Sequence, residues 1–182
     1  NYDRLIEIYE ALADYGYREV GQEYLQNVLN TDKKLDAYDS GRIYYYLGDY
    51  QKAYLALEEA KGKGGVDSYL YLGKAYAATG DYNYASSVYS NYLSKQGPDA
   101  EIYNQLGLCE LAKKDYQKAL EAFQAGKQIE GNSLMQTLSF NEIVAYEYLQ
   151  DYQKAAVLLK AYLQNYPDDQ AAIREQQFLS TR

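Results

Sequence analysis

The stretch AEIYNQLGLCELAKKDYQKALEAF, residues 100–123, decides the fold. Tyr103, Leu106 and Gly107 recur at helical spacing, a polar break follows at Lys113 and Lys114, and Asp115-Tyr116 opens a second run carrying Ala119 and Phe123. Two amphipathic stripes separated by a tight turn describe a helix hairpin. Asp115 stands just before the second helix, where a carboxylate accepts bonds from free N–H groups and suits the positive end of the helix dipole.

The pattern returns along the whole chain. A Tyr-x-x-small signature occurs at Tyr17 to Val20, Tyr50 to Ala53, Tyr82 to Ala85, Tyr116 to Ala119 and Tyr152 to Ala155, at intervals of 32 to 36 residues. A period near 34 marks a stacked array of hairpins. Gly41, Gly73 and Gly107 share the eighth position of their units, and Ala53, Ala85, Ala119 and Ala155 the twentieth. Small residues there let two helix backbones approach closely, and bulky neighbours fill the space around the contact. Asp49, Asp81, Asp115 and Asp151 read as helix caps.

These residues resemble the tetratricopeptide repeat family. The likeness runs over five units, residues 1–33, 34–65, 66–99, 100–135 and 136–169, followed by a terminal helix over 170–182 in which Ala171, Ala172, Ile173 and Phe178 cover the last apolar edge. It implies an all-α fold, a right-handed superhelical array of antiparallel helix hairpins, in one domain over 1–182. The first unit departs from the pattern, with Arg4, Ile8 and Ala11 at packing positions and Gly16 where the others carry the capping Asp. Further departures are Glu110 in the fourth unit and Ser139, Glu142 and Ile143 in the fifth.

Composition narrows the function. No stretch approaches the roughly 18 apolar residues of a membrane span. A formal charge of −8 sets the chain against nucleic acid and anionic lipid as main partners. With no His and a single Cys, a zinc site lacks the ligands from which such sites are mostly built, and the Ser-His and Cys-His catalytic arrangements lack their base. Cys109 reads as a small buried hydrophobe. The Lys61-Gly62-Lys63-Gly64-Gly65 run lacks the following Ser/Thr and the preceding strand of a phosphate loop, and reads as a helix C-terminus with a glycine cap. No catalytic residue, cofactor or metal is assigned.

Tyrosine is the unusual residue, with 25 copies against three Phe and no Trp. In the resembled family, the second, fifth, ninth, twelfth and thirteenth positions of each unit line an inner concave groove. In this chain they give Tyr2, Leu5, Tyr9 and Leu12, then Leu35, Tyr38, Arg42, Tyr45 and Tyr46, then Asp67, Leu70, Lys74, Ala77 and Ala78. Beyond them come Leu108 in the fourth unit and Phe140 and Tyr148 in the fifth. The expected groove is aromatic and apolar, with Arg42 and Lys74 side by side as a central basic pair. It suits a partner peptide with apolar side chains and an acidic group, held on Tyr contacts and a bidentate Arg.

The resemblance thus implies a non-enzymatic protein-interaction scaffold. Two other functions fit: a structural protein that self-associates through Tyr2 and Leu5 or Ile173 and Phe178, and a glycan-binding module using tyrosine stacking. The Lys, Asn, Asn, Lys, Arg clamp with which some family members grip chaperone tails is missing in every register; from the first unit its positions hold Leu5, Tyr9, Asp39, Asp67 and Tyr71. The chain opens at Asn1 without Met, as a trimmed fragment or mature form would. Acidic, Tyr-, Asn- and Gln-rich repeats read as bacterial, in an exported, surface-anchored or cytoplasmic protein.

Overall fold

A computed structural model describes residues 2–60 and 62–181. Asn1, Lys61 and Arg182 lie outside the described residues. Among the described residues there are eleven α-helices and no strand. In order they are α1 (Tyr2–Asp14), α2 (Arg18–Thr31), α3 (Ala37–Leu47), α4 (Tyr50–Glu59), α5 (Val66–Ala78) and α6 (Tyr82–Gln96). There follow α7 (Ala100–Ala112), α8 (Tyr116–Lys127), α9 (Met135–Tyr148), α10 (Tyr152–Asn165) and α11 (Gln170–Leu179). The chain divides into two compact units, Asn1–Val88 and Tyr89–Arg182, and the division falls inside α6.

In the first unit the turns are built as the capping residues imply. Asp49 accepts from the Lys52 amide at 3.3 Å and Asp81 from the Tyr84 amide at 3.0 Å, which satisfies one orphan donor at each helix start. Gly48 and Gly80 take left-handed φ values of 80° and 86° in the preceding turns. The eighth-position glycine is a packing requirement, because a Cβ on Gly41 would lie 2.6 Å from Leu57 Cγ.

The first repeat runs one residue out of step with its sequence signature. The amide of Asp49 closes its turn on the Tyr44 carbonyl and that of Asp81 on Tyr76, and the equivalent bond in the first hairpin joins the Tyr17 amide to the Leu12 carbonyl. Tyr17 therefore takes the cap position, without a side-chain bond, and Gly16 (φ 86°) takes the turn position. Tyr17 and Val20 are 60% and 56% exposed, whereas Gly21 and Leu25 are buried. The signature Tyr17 to Val20 is a chance match, and the packing residues are Leu5, Tyr9, Leu12, Gly21 and Leu25. Tyr9 replaces the small eighth residue, and Gly21 makes room for it from the opposite helix.

In the second unit the same contact is tighter. A Cβ on Gly107 would overlap the ring of Phe123, which is fully buried beside Ala119. Asp115 and Asp151 cap α8 and α10 through the amides of Lys118 and Lys154. Lys114 and Gln150 hold the left-handed turn positions, with φ of 64° and 62°. The terminal helix α11 closes an apolar cluster of Ile143, Ala155, Leu159 and Tyr162. It does so with Ala172 and Leu179, while Ala171 and Phe178 stay exposed. Asp169 caps α11 and also accepts from the Tyr162 hydroxyl at 2.6 Å.

Candidate functional site

The face of the first unit carried by α1, α3 and α5 holds a cluster of tyrosine rings. Tyr45 and Tyr46 are consecutive on α3, so their rings diverge around the helix and meet edge-on, centroids 5.5 Å apart. Tyr9 from α1 reaches Tyr46 at 5.2 Å, and Tyr71 from α5 reaches Tyr45 and Tyr46 at 5.5 and 5.9 Å. The Tyr46 hydroxyl donates to Glu10 and lies 3.0 Å from the Tyr71 hydroxyl. Burial, then the hydrogen bonds to Glu10 and Tyr71, raise the Tyr46 phenol well above its ordinary pKa. Burial likewise raises Tyr45 and Tyr71.

Two hollows flank these rings. One, of about 320 Å³, is lined by Glu10, Tyr45, Tyr46, Asp67, Leu70, Tyr71 and Lys74. The other, of about 270 Å³, is lined by Tyr9, Glu10, Ala13, Asp14, Arg18, Tyr45, Tyr46 and Tyr50. Tyr45, Tyr46, Leu70 and Lys74 thus line the first hollow together.

Arg42 is not displayed in the groove, contrary to expectation. It is 6% exposed, donates to Asp3 on α1 and Asp39 on its own helix, and stacks 4.4 Å above the Tyr38 ring. Burial works against its charge, but the bonds to Asp39 and Asp3 outweigh it and raise its pKa. A long side chain at the centre of a helix face can turn along the neighbouring helix when carboxylates wait there. Tyr38 is half-buried under this guanidinium, packs against the cluster of Ala53, Leu57 and Leu72, and is approached by Gly64, where a Cβ would come 2.6 Å from the ring. The glycine-rich loop is therefore a cover for Tyr38; α4 ends on Ala60 rather than on a glycine cap.

Tyr9 is also corrected. It is 3% exposed and belongs to a core cluster with Leu5, Leu25 and Ile43. The one-residue shift of α1 moves the groove positions from Tyr2, Leu5, Tyr9 and Leu12 to Asp3, Ile6, Glu10 and Ala13, with Asp14 next to them; of these Ile6 is buried. Glu10, Tyr50 and Tyr71 were missed by the sequence reading. The first was hidden by the register slip, and Tyr71 occupies a sixth position, on the flank between neighbouring helices.

In the second unit the expected residues do not gather. Phe140 packs toward the α10 cluster, 5.7 Å from the Tyr162 ring. Tyr148 is 54% exposed and stacked 4.9 Å from Tyr116, and Leu108 is exposed. Cys109 is buried, and burial followed by the charge of Glu110 pushes its thiol up to about 12, which keeps it unreactive. Among the described residues, no group of three or more His, Cys, Asp or Glu side chains is placed to hold a metal ion, and no helix is long and apolar enough to cross a membrane.

Comparison with known proteins agrees with this architecture. Models of the tetratricopeptide repeat match residues 70–133 and 140–169, together just over half of the chain. No curated protein matches its sequence. Among solved structures, a thermophilic tetratricopeptide repeat protein in Thermus thermophilus is similar over 100% of both chains, with 15% identity and a TM-score of 0.74. A tetratricopeptide repeat protein from Parabacteroides merdae matches 98% of this chain and 72% of its own, with 16% identity and a TM-score of 0.71. The second such domain of human RPAP3, solved with an HSP70 peptide, covers 60% of this chain and 90% of that domain, with 16% identity and a TM-score of 0.54.

Proposed function

Because this chain belongs to the tetratricopeptide repeat family, whose members serve broadly as protein-interaction scaffolds, we propose that it holds a segment of a partner protein on the α1–α3–α5 face of its first unit, without catalysis. The observation that carries this reading is the hollow where Tyr45, Tyr46 and Tyr71 meet Leu70. Rings from two helices converge there with few torsions left to freeze, which is how a small patch supplies most of an interface's energy. The RPAP3 domain was solved with an HSP70 peptide, which supports a peptide as the kind of ligand. The chain is not a chaperone-tail clamp, for with α1 in its observed register the clamp positions hold Ile6, Glu10, Asp39, Asp67 and Tyr71. The rings meet at 65° to 81° rather than lying flat and open, which weighs against sugar stacking.

The test is affinity capture from lysate and envelope fractions, comparing the wild type with a Tyr45→Ser, Leu70→Ser variant of unchanged helicity. A protein held by the wild type and lost by the variant, then shown to bind in purified form, supports the reading. Equal capture by both sinks it.

Self-association is the second reading; of the two expected surfaces the terminal helix keeps Phe178 exposed, and the first hairpin offers other residues than those expected. Tyr2 and Leu5 face inward, Tyr2 donating to Asp32 at 2.7 Å and Leu5 lying in the core. Instead Ile8 on α1, Tyr17 at the cap of α2 and Val20 and Tyr24 within α2 are exposed apolar residues of the first hairpin. Recovery of the chain's own copies alone would favour this reading.

A further inference from the structure

The sequence promises a basic groove, and the side chains reverse its sign. Of the two cations placed there, Arg42 is held between Asp3 and Asp39 inside the unit. The register of α1 brings Glu10 to the hollow from one side, and Asp67 in the first turn of α5 approaches from the other. The lining therefore carries two carboxylates against the one ammonium of Lys74. Burial first raises the Tyr71 phenol; the Tyr46 hydrogen bond and the charge of Arg42 act downward on it, and the charges of Glu10 and Asp67 act upward.

We propose that the hollow among Tyr45, Tyr46, Tyr71, Glu10 and Asp67 receives a basic side chain, arginine or lysine, of the bound segment; this rests on the scaffold reading above. The rings stand at steep angles to one another and form the walls of a corner. A cation placed in such a corner meets the negative ring faces, and is attracted most where water is partly excluded. Glu10 and Asp67 supply acceptors that a guanidinium fork or an ammonium can use. The volume of about 320 Å³ is that of a side-chain subsite rather than of a whole peptide. An acidic side chain would enter against Glu10 and Asp67, and an aliphatic one would offer neither carboxylate an opposite charge. In the adjoining hollow Asp14 is offset by Arg18, so the excess of carboxylate over cation belongs to the first hollow and to Glu10, which both share.

The experiment is a nuclear magnetic resonance titration of the full chain with three blocked pentapeptides, Gly-Leu-X-Leu-Gly, in which X is Arg, Glu or norleucine. The Arg peptide is expected to shift the ring and amide signals of Tyr45, Tyr46 and Tyr71 and to bind at least about tenfold tighter than the other two. A Glu10→Gln, Asp67→Asn variant, with its thermal midpoint checked, should lose that preference while keeping the fold, since the amide oxygen that replaces the Glu10 carboxylate can still accept from Tyr46. Equal or tighter binding of the Glu or norleucine peptide at these residues overturns the inference but leaves the scaffold reading standing. Absence of any shift at the three tyrosines also overturns it, and the scaffold reading then depends on the capture experiment alone.

Discussion

Tyr9 fills the space that Gly21 leaves empty: a Cβ on Gly21 would stand 2.8 Å from Tyr9 Cδ2. In the second repeat the close contact is made by Gly41 on the first helix, against Leu57 on the second. Gly21 stands where the second repeat has Ala53, while Leu25, like Leu57, stays fully buried on the second helix, so Tyr9 is accommodated by the missing methyl alone. With Tyr9 packed inward against Gly21, its neighbour Glu10 lines the groove hollow.

Gly21→Ala should therefore destabilise the chain by about 1 to 3 kcal/mol, the ordinary cost of overpacking a close contact. Val20→Ala should change stability by less than about 0.5 kcal/mol, as an exposed site does. Urea unfolding of both variants checks this, and a larger loss at Val20 would restore the signature register.

Arg42→Ala is expected to act on stability rather than on binding alone. It leaves Asp39, which is nearly buried, without its partner, and breaking such a pair costs about 3 kcal/mol. An Arg42→Ala protein that unfolds with the wild-type midpoint would return Arg42 to the groove as a ligand contact.

Lys114 and Gln150 occupy left-handed turn positions that Gly48 and Gly80 fill in the earlier repeats. A side chain costs about 1 kcal/mol in that conformation, so Gln150→Gly should raise stability by several tenths of a kcal/mol to about 1. Thermal melts of Gln150→Gly and Lys114→Gly measure it directly; a lowered midpoint in both contradicts the assignment.

Glu147 gives the second unit a pH dependence. Burial, then the charge and hydrogen bond of Glu175 on α11, push its carboxyl up from 4.5 to about 7. The folded state keeps a proton that the unfolded chain releases near pH 4.5, so this contribution is complete below that pH and is lost as pH rises through about 7. Between about pH 5 and pH 8 the wild type should lose stability that Glu147→Gln retains. Parallel curves for the two proteins would exclude this group as the cause.

The exposed apolar residues of the first hairpin make self-association testable apart from the groove. If copies meet through that surface, Val20→Lys with Tyr24→Lys should abolish any concentration-dependent increase in size seen by sedimentation, with helicity unchanged. Persistence of that increase in the variant would place the contact elsewhere.

The repeat period, the Asp caps and the small residues at close helix contacts were legible because each is a local or periodic demand that every hairpin makes again. Residues 100–123 alone specify two helices, a turn and the Gly107–Phe123 contact between them. The candidate site was only half legible. Tyr45, Tyr46, Leu70 and Lys74 follow from position in the repeat, whereas Tyr71 and Glu10 enter through neighbouring helices whose relative rotation no single repeat encodes.

What the sequence by itself determined is a chain of helix hairpins, since periodicity and turn chemistry act within some 34 residues. What only the tertiary structure decided is the register of the first hairpin and the sign of the groove. Both depend on pairs brought together by packing between helices: Tyr9 against Gly21 sets which face of α1 turns outward, and Asp3 against Arg42 removes a positive charge from the surface. Steric fit and ion pairing of this kind are settled at the contact itself, where volume and charge are balanced by the pair and not by either residue alone.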